Sequence, residues 1–142
     1  MNFRKLLLGT AALALLATPA FADDYLGGIV KSADMGGKEV LTDAKGMTLY
    51  VYDKDTANVT NCYDKCAVNW PPVWAPADTQ VSGDWSLVER TDASGDHAGM
   101  KMVAYKGWPL YLWIKDTKPG DNTGDGVGGV WHTAYEDIAA AK

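Results

Sequence analysis

Residues 46–56 read GMTLYVYDKDT, and residues 107–117 read GWPLYLWIKDT. The second segment follows the first at a spacing of 61 positions, and the spacing holds without a gap until Trp70 meets Trp131. A match at a fixed period indicates one structural unit that is used twice. We therefore expect two repeats that pack about a pseudo-twofold axis.

Both segments have the alternation of a half-buried β-strand. In Leu49–Tyr52 and Leu110–Ile114 aliphatic side chains alternate with aromatic ones, and every second side chain of a strand shares a face. The aliphatic face would carry Leu49, Val51, Leu110, Leu112 and Ile114, and the aromatic face would carry Tyr50, Tyr52, Tyr111 and Trp113. We expect the aromatic face to form a second buried layer, and its alternative role is a partly open binding platform.

The rest of the chain also favours strands over helices. Gly-containing turns at 45–46 and 106–107 predict hairpins. Further strand candidates are Glu39–Thr42, Lys101–Tyr105, Leu26–Lys31 and Trp85–Arg90, and only Tyr135–Ala141 could form a short terminal helix. The sequence predicts an all-β fold of two tandem, pseudo-symmetric antiparallel β-hairpin repeats, about 26–74 and about 85–133, packed as one compact domain. Within it, we expect Trp70 and Trp131 to be equivalent members of the core.

Residues 1–22 have the features of an export signal. Arg4 and Lys5 precede an apolar run, and the AFA sequence at 20–22 is typical of a cleavage site. We expect the mature chain to begin at Asp23, in the periplasm or outside the cell, and to form a single domain, 23–142. No cysteine follows the cleavage site, so no lipid anchor is expected. The apolar run is shorter than the roughly 20 residues that cross a bilayer, so membrane insertion is not expected either.

The charge of the exported part is acidic. Without Arg4 and Lys5 the 13 basic residues fall to 11, against 18 acidic ones. Nucleic acids and anionic lipids require a clustered positive field, so neither is expected as a partner. We expect a monomer whose partner is an envelope protein or a small ligand.

The two cysteines mark the largest difference between the repeats. Cys62 and Cys66 stand where the second repeat has Thr123 and Val127. An oxidising compartment and a three-residue spacing favour a Cys62–Cys66 disulfide. A haem attachment site would need two intervening residues and a following His, and a zinc site would need two further ligands nearby.

The repeated motif resembles that of a known family. Leu-Tyr-x-aromatic-x-x-Asp occurs at 49–55 and again at 110–116, and the segments 61–72 and 118–131 resemble the two repeat endings of the same family. These are bacterial secreted-repeat proteins, often described as predicted lipoproteins, whose biochemical activity is unknown. The resemblance implies an exported protein and assigns no reaction. The chain departs from many of these relatives because it lacks a lipidation cysteine.

The repeated carboxylates are expected to be structural. Asp55 and Asp116 are equivalent in the two repeats, and an Asp at the end of a strand commonly caps a turn by accepting backbone N–H bonds. No nucleophile, base and orienting group stand at motif spacing, and the only histidines are His97 and His132. The sequence therefore favours a protein that is not an enzyme.

Two segments offer possible metal ligands. His97, Met100 and Met102 combine an imidazole with thioethers, which suit copper, although core filling by the methionines and a solvated His97 is the favoured interpretation. The segment 121–126 resembles the start of a calcium loop, but the twelfth position is His132 in place of a bidentate Glu. We expect no bound cofactor, with copper as the alternative.

Together these patterns favour an exported, non-catalytic binding or envelope-stress accessory protein. The alternative is a periplasmic protein that handles copper at His97, Met100 and Met102, or one that exchanges thiols at Cys62 and Cys66.

Overall fold

A computed structural model describes residues 21–142, so nearly all of the expected export signal lies outside the described residues. Nine short strands dominate this part of the chain. The strands are β1 Phe21–Tyr25, β2 Val30–Met35, β3 Lys38–Asp43, β4 Tyr50–Tyr52, β5 Trp74–Pro76, β6 Trp85–Val88, β7 Met100–Tyr105, β8 Trp108–Pro109 and β9 Trp131–Thr133. One α-helix, α1, covers Lys65–Asn69, and 3-10 turns cover Leu26–Gly28, Gly95–His97 and Val127–Gly129. The all-β prediction is confirmed.

The strands form three antiparallel sheets. β1, β2 and β3 form the sheet of the first repeat, and β5, β7 and β6 form the sheet of the second, with β8 paired to β7. A two-stranded sheet of β4 and β9 joins them. Among the described residues, no helix is long and apolar enough to span a membrane.

The two hairpin turns differ by one residue. In the second repeat, Lys106 and Gly107 both have positive φ, of 48° and 81°, as a two-residue hairpin loop requires. In the first repeat the loop covers residues 44–46, with Gly46 at φ 84° and the Asp43 carboxylate accepting N–H bonds from Lys45 and Met47. The extra residue explains why the fixed spacing of the repeats holds from the turn onward and does not extend into the preceding strand.

Each repeat is completed by the other. The strand β4 of the first repeat pairs with β9, which closes the second, while β5, which closes the first repeat, pairs with β7 of the second. Backbone bonds repeat this exchange: the Ala134 N–H donates to the Leu49 carbonyl over 2.8 Å, and the Val73 N–H donates to the Leu110 carbonyl over 3.0 Å. Each repeat therefore needs the other to complete the backbone hydrogen bonds of its strands.

The two motif tyrosines meet at the pseudo-twofold axis. The Tyr50 N–H donates to the Tyr111 carbonyl over 2.8 Å, and the Tyr111 N–H donates to the Tyr50 carbonyl over 3.0 Å. The aliphatic face next to them is one continuous core built from both repeats. It contains Val30, Leu41, Leu49, Val51, Val73, Ala75, Val103, Tyr105, Leu110 and Ala134.

Several sequence predictions are wrong in detail. The predicted strand Leu26–Lys31 starts only at Val30, because Gly27 and Gly28 take positive φ values of 68° and 94° and turn the chain. Ile114 is 54% exposed and does not join the aliphatic core. The predicted helix Tyr135–Ala141 is absent, because Tyr135 pairs with Val40 and the carbonyls of 136, 138 and 139 accept bonds from the second hairpin.

The run Leu110–Ile114 forms no regular strand, because only Tyr111 makes β-bridges and Ile114 already lies in a turn. The Leu112 N–H donates to the Pro71 carbonyl over 2.7 Å, and the Ile114 N–H donates to the Asn69 carbonyl over 3.0 Å. Pro71 and Pro72 have no N–H to return, so the ladder is incomplete on that side. The helix α1 and the strands β1, β5, β8 and β9 were not predicted.

Two rings of the aromatic face, Tyr52 and Trp113, form a column of four stacked rings with Trp70 and Trp131. Trp70 and Trp131 lie at its centre with ring centroids 3.8 Å apart and planes 4° apart. Trp113 stacks on Trp70 at 4.0 Å, and its counterpart Tyr52 stacks on Trp131 at 4.2 Å. Trp70 and Trp131 are only 4% and 5% exposed, whereas the two outer rings are partly exposed. The column thus crosses the axis and joins the two repeats.

We predict that Trp70→Ala and Trp131→Ala each destabilise the domain by about 3–5 kcal/mol, because each removes a buried ring from both a stack and an edge contact. Chemical unfolding measured against wild type checks this. Ile114→Ala is the matched control on the exposed side, with an expected change within about 0.5 kcal/mol. Wild-type stability in either tryptophan variant would contradict a structural role for the column.

Candidate functional site

The motif tyrosines and aspartates pair across the repeats. The Tyr50 hydroxyl donates to Oδ2 of Asp116 over 2.5 Å, and the Tyr111 hydroxyl donates to Oδ2 of Asp55 over 2.5 Å. Tyr50 and Tyr111 are fully buried, and Asp55 and Asp116 are 5% and 8% exposed. The shared motif thus builds two equivalent hydroxyl–carboxylate pairs, each made of one residue from either repeat.

The second carboxylate oxygen of each aspartate holds a loop. Oδ1 of Asp55 accepts the Asn61 N–H over 2.7 Å, and Oδ1 of Asp116 accepts the Thr123 N–H over 3.0 Å and its hydroxyl over 2.6 Å. Both aspartates therefore accept backbone N–H bonds, as the sequence suggested. The bonds to the tyrosines could not be predicted from the sequence, because the bonded residues are 66 and 56 positions apart along the chain.

Burial dominates the electrostatics of these pairs. It raises the pKa of Tyr50 and of Tyr111 above the usual range, and the adjacent carboxylates act in the same direction. Burial also raises the pKa of Asp55, against the hydrogen bonds from Tyr111 and Asn61. The phenolic protons therefore stay on Tyr50 and Tyr111.

Arg90 adds a buried cation to one pair only. Its side chain is fully buried, and it donates to the Thr60 hydroxyl over 3.0 Å and to the Cys62 carbonyl over 2.8 Å. Thr60 in turn lies 2.6 Å from the Tyr111 hydroxyl. The guanidinium also donates two hydrogen bonds to the Asp92 carboxylate, and these bonds lower the pKa of that carboxyl. Arg90 was not among the residues selected from the sequence, because nothing in its neighbourhood marks it as buried.

The disulfide shapes a segment that only the first repeat has. Cys62 and Cys66 are bonded, with Cα atoms 5.2 Å apart, and α1 begins inside the closed loop at Lys65. Val68 on this helix is a large apolar side chain that is 65% exposed to solvent. The corresponding part of the second repeat is the glycine-rich 3-10 turn Val127–Gly129.

Two neighbouring depressions flank Trp74 beside this helix. Their volumes are about 510 Å³ and about 340 Å³, and they share the side chains of Pro71, Pro72, Trp74 and His97. We call the two depressions together the Trp74 groove. Val68 and Ala67 line its helix end, and Leu112 and Met100 line its other end. Its walls are thus mainly apolar.

The equivalent place in the second repeat is polar. Tyr135 stands where the first repeat has Trp74, and the Lys38 ammonium lies 4.6 Å from its ring centroid. The depression there, about 450 Å³, is lined by Lys38, Glu39, Tyr105, Glu136, Asp137 and Gly37. The apolar groove therefore lies beside Trp74 and has no equivalent beside Tyr135.

The possible copper ligands do not share one opening. His97 is exposed and stacks on Trp74 at 5.0 Å, and Met100 lines the larger depression with it. Met102 is fully buried, and its sulfur accepts a bond from Arg90 over 3.6 Å. Copper therefore stays the untested alternative to the expected absence of a cofactor, and binding by all three residues would require Met102 to leave the core and the neighbouring cation.

The segment that resembles a calcium loop uses its oxygens internally. Oδ2 of Asp121 accepts N–H bonds from Thr117 and Lys118, and Oδ1 of Asp125 accepts the Thr133 N–H over 2.9 Å. Within residues 21–142, no three His, Cys, Asp or Glu side chains are grouped as a metal site. His132, at the twelfth position, pairs with Asp53 instead, over 2.8 Å.

Comparison with known proteins gives a family and no activity. The model of a family described as a secreted repeat of unknown function matches the chain twice, at residues 29–74 and 93–135. The two matches cover both hairpins and both repeat endings, and they agree with the repeats found in the sequence. No curated protein and no solved structure is significantly similar to the chain.

The raised pKa of Asp55 predicts a pH dependence. Between the ordinary value of 3.8 and the higher folded value, the folded protein binds more protons than the unfolded chain, so this group makes stability fall as pH rises. We expect Asp55→Asn to remove that fall. Urea unfolding of both proteins at a series of pH values from acid to neutral measures it. Parallel stability curves for the two proteins would contradict the prediction.

The disulfide is predicted to contribute modestly. Its loop is short, so the chain-entropy estimate gives about 2 kcal/mol, and reduction should lower the unfolding free energy by that amount while the fold persists. Urea unfolding with and without a reductant measures the loss. The Cys62→Ser, Cys66→Ser double variant is the control, since it should not respond to reductant. Complete unfolding on reduction would show that the loop holds the whole domain.

Proposed function

Because the chain belongs to the family of secreted repeats of unknown function, we propose that it is an exported, non-catalytic binding protein of the cell envelope. In this proposal the Trp74 groove is the recognition site and a segment of an envelope protein is the ligand. Cleavage before Asp23 and a periplasmic or secreted destination are parts of the same proposal.

The observation that carries the proposal is the asymmetry between the repeats. Two copies of one unit need the same residues for folding, so a feature present in only one copy is not explained by the fold. The disulfide and the helix α1 with its exposed Val68 occur only in the first repeat, and an apolar groove lies beside Trp74 but not beside its counterpart Tyr135. Clustering of apolar groups on one exposed face is typical of an interaction site.

The polar residues of the interior support a role without catalysis. Asp55, Asp116 and Arg90 are buried, and their oxygens and nitrogens bind other groups of the domain. Both cysteines are joined in the disulfide, so neither supplies a thiolate. Asp55 borders a depression of about 480 Å³ and Arg90 one of about 300 Å³, but the polar atoms of both side chains are already hydrogen-bonded within the domain.

Site-specific photo-crosslinking in cells that export the protein tests this proposal. A photoreactive residue replaces Val68, at the helix end of the groove, or Val81, an exposed valine away from it. We expect a discrete protein adduct from position 68 and none from position 81. Adding Trp74→Ala should abolish the adduct, whereas Tyr135→Ala, at the equivalent position of the other repeat, should leave it.

Two results would contradict the proposal. One is the same adduct from positions 68 and 81, because contact would then not depend on the groove. The other is an adduct that persists in Trp74→Ala while thermal unfolding shows that this variant is folded.

A further inference from the structure

The six aromatic rings around the axis form one connected array. The four-ring column runs Trp113, Trp70, Trp131, Tyr52, with successive centroids 4.0, 3.8 and 4.2 Å apart. Tyr50 meets the Trp70 ring edge-on at 5.4 Å, and Tyr111 meets the Trp131 ring edge-on at 5.1 Å. Each buried tyrosine is thus one contact away from the column and two contacts away from a partly exposed ring.

Each buried tyrosine also has a proton acceptor in place. Loss of an electron makes a phenol strongly acidic, so the oxidised tyrosine becomes a stable neutral radical only where its proton can move to a nearby base. Oδ2 of Asp116 lies 2.5 Å from the Tyr50 oxygen, and Oδ2 of Asp55 lies 2.5 Å from the Tyr111 oxygen. Stacking and burial alone would not require a carboxylate at this position, since a buried phenol can bind a neutral acceptor.

One end of the column is suited to an anionic oxidant. Trp113 is partly exposed, and the Lys115 ammonium lies 5.7 Å from its ring centroid. A positive group beside an exposed ring raises the local concentration of anions. Trp113 is therefore the ring of the column that an anionic oxidant would contact.

From this geometry we infer that the domain donates single electrons to anionic one-electron oxidants outside the cytoplasm, with Tyr50 and Tyr111 as the final donors. The oxidant takes one electron from Trp113, and electrons from Trp70 and then Tyr50 refill the vacancy. The O–H bond of Tyr50 breaks as its proton moves to Asp116. The products are the reduced oxidant, a neutral tyrosyl radical and a protonated carboxyl.

Tyr111 reacts in the same way along the shared column, with Asp55 as the proton acceptor. The radical returns to the phenol when a soluble one-electron reductant, such as ascorbate, supplies an electron and the proton moves back from the carboxyl. Burial keeps the radical away from water and from other chains during this interval, because both tyrosines are fully buried.

Rapid mixing of the mature protein with hexachloroiridate(IV), an anionic one-electron oxidant, followed by freeze-quench electron paramagnetic resonance tests the inference. We expect a long-lived tyrosyl signal from the wild type, formed more slowly in heavy water than in light water. Tyr63→Phe is the control, because Tyr63 is partly exposed and lies outside the array. It should leave the signal unchanged.

Two variants locate the donor and its base. Tyr111→Phe should lose the part of the signal that Tyr111 carries, and Asp55→Asn should lose the same part although Tyr111 is still present. Asp55→Asn suits this purpose because the Tyr111 hydroxyl can turn to Thr60, 2.6 Å away. Trp113→Leu should slow radical formation, which tests the exit point separately from the base.

Several outcomes would overturn the inference. A signal confined to tryptophan or to exposed tyrosines would show that the buried pairs take no part. An undiminished tyrosyl signal in Asp55→Asn would remove the proton acceptor from the argument. If that variant does not fold, equal rates in light and heavy water for the wild type would have the same effect.

Discussion

The bonds that cross the pseudo-twofold axis are the interaction on which the rest of this domain depends. Tyr50 and Tyr111 exchange backbone hydrogen bonds, and each sends its hydroxyl to the aspartate of the other repeat. Removing one phenol would leave a buried carboxylate oxygen without its donor, which costs about 1–3 kcal/mol or more because the group is charged. The motif residues therefore hold the two repeats together, because the aspartate of each repeat accepts the hydroxyl bond of the tyrosine in the other.

The same crossing organises the aromatic layer. Because the tyrosine strands are exchanged, Trp70 from one repeat stacks on Trp131 from the other, and the outer rings Trp113 and Tyr52 extend the stack on both sides. The edge-on contacts of Tyr50 with Trp70 and of Tyr111 with Trp131 add about 0.5–1.5 kcal/mol each beyond the burial of area. The arrangement makes the rings a continuous path as well as a core, and it places a carboxylate beside each phenol that joins the path.

Symmetry ends at the disulfide-bonded segment of the first repeat. Arg90 reaches from the second repeat to the Cys62 carbonyl and to Thr60, so the segment rests on a buried cation that has no counterpart in the other half. On this segment α1 lies at the surface, with Val68 exposed and the Trp74 groove beside it. This apolar surface, which breaks the pseudo-symmetry of the domain, is the basis of the proposed binding role.

The sequence alone determined the all-β class, the two repeats and their membership of a secreted-repeat family, because strand alternation and a fixed spacing are local signals that survive without tertiary contacts. It also indicated the loop-holding bonds of Asp55 and Asp116, since capping by aspartate acts over a few residues. Only the tertiary structure decided that each tyrosine binds the aspartate of the other repeat. It also decided that residues 135–141 pair with the hairpins in place of forming a helix, and that Arg90 is buried while Ile114 is exposed. Those outcomes depend on which distant segments meet. A pattern of neighbouring residues does not show which residues some 60 positions away they will contact.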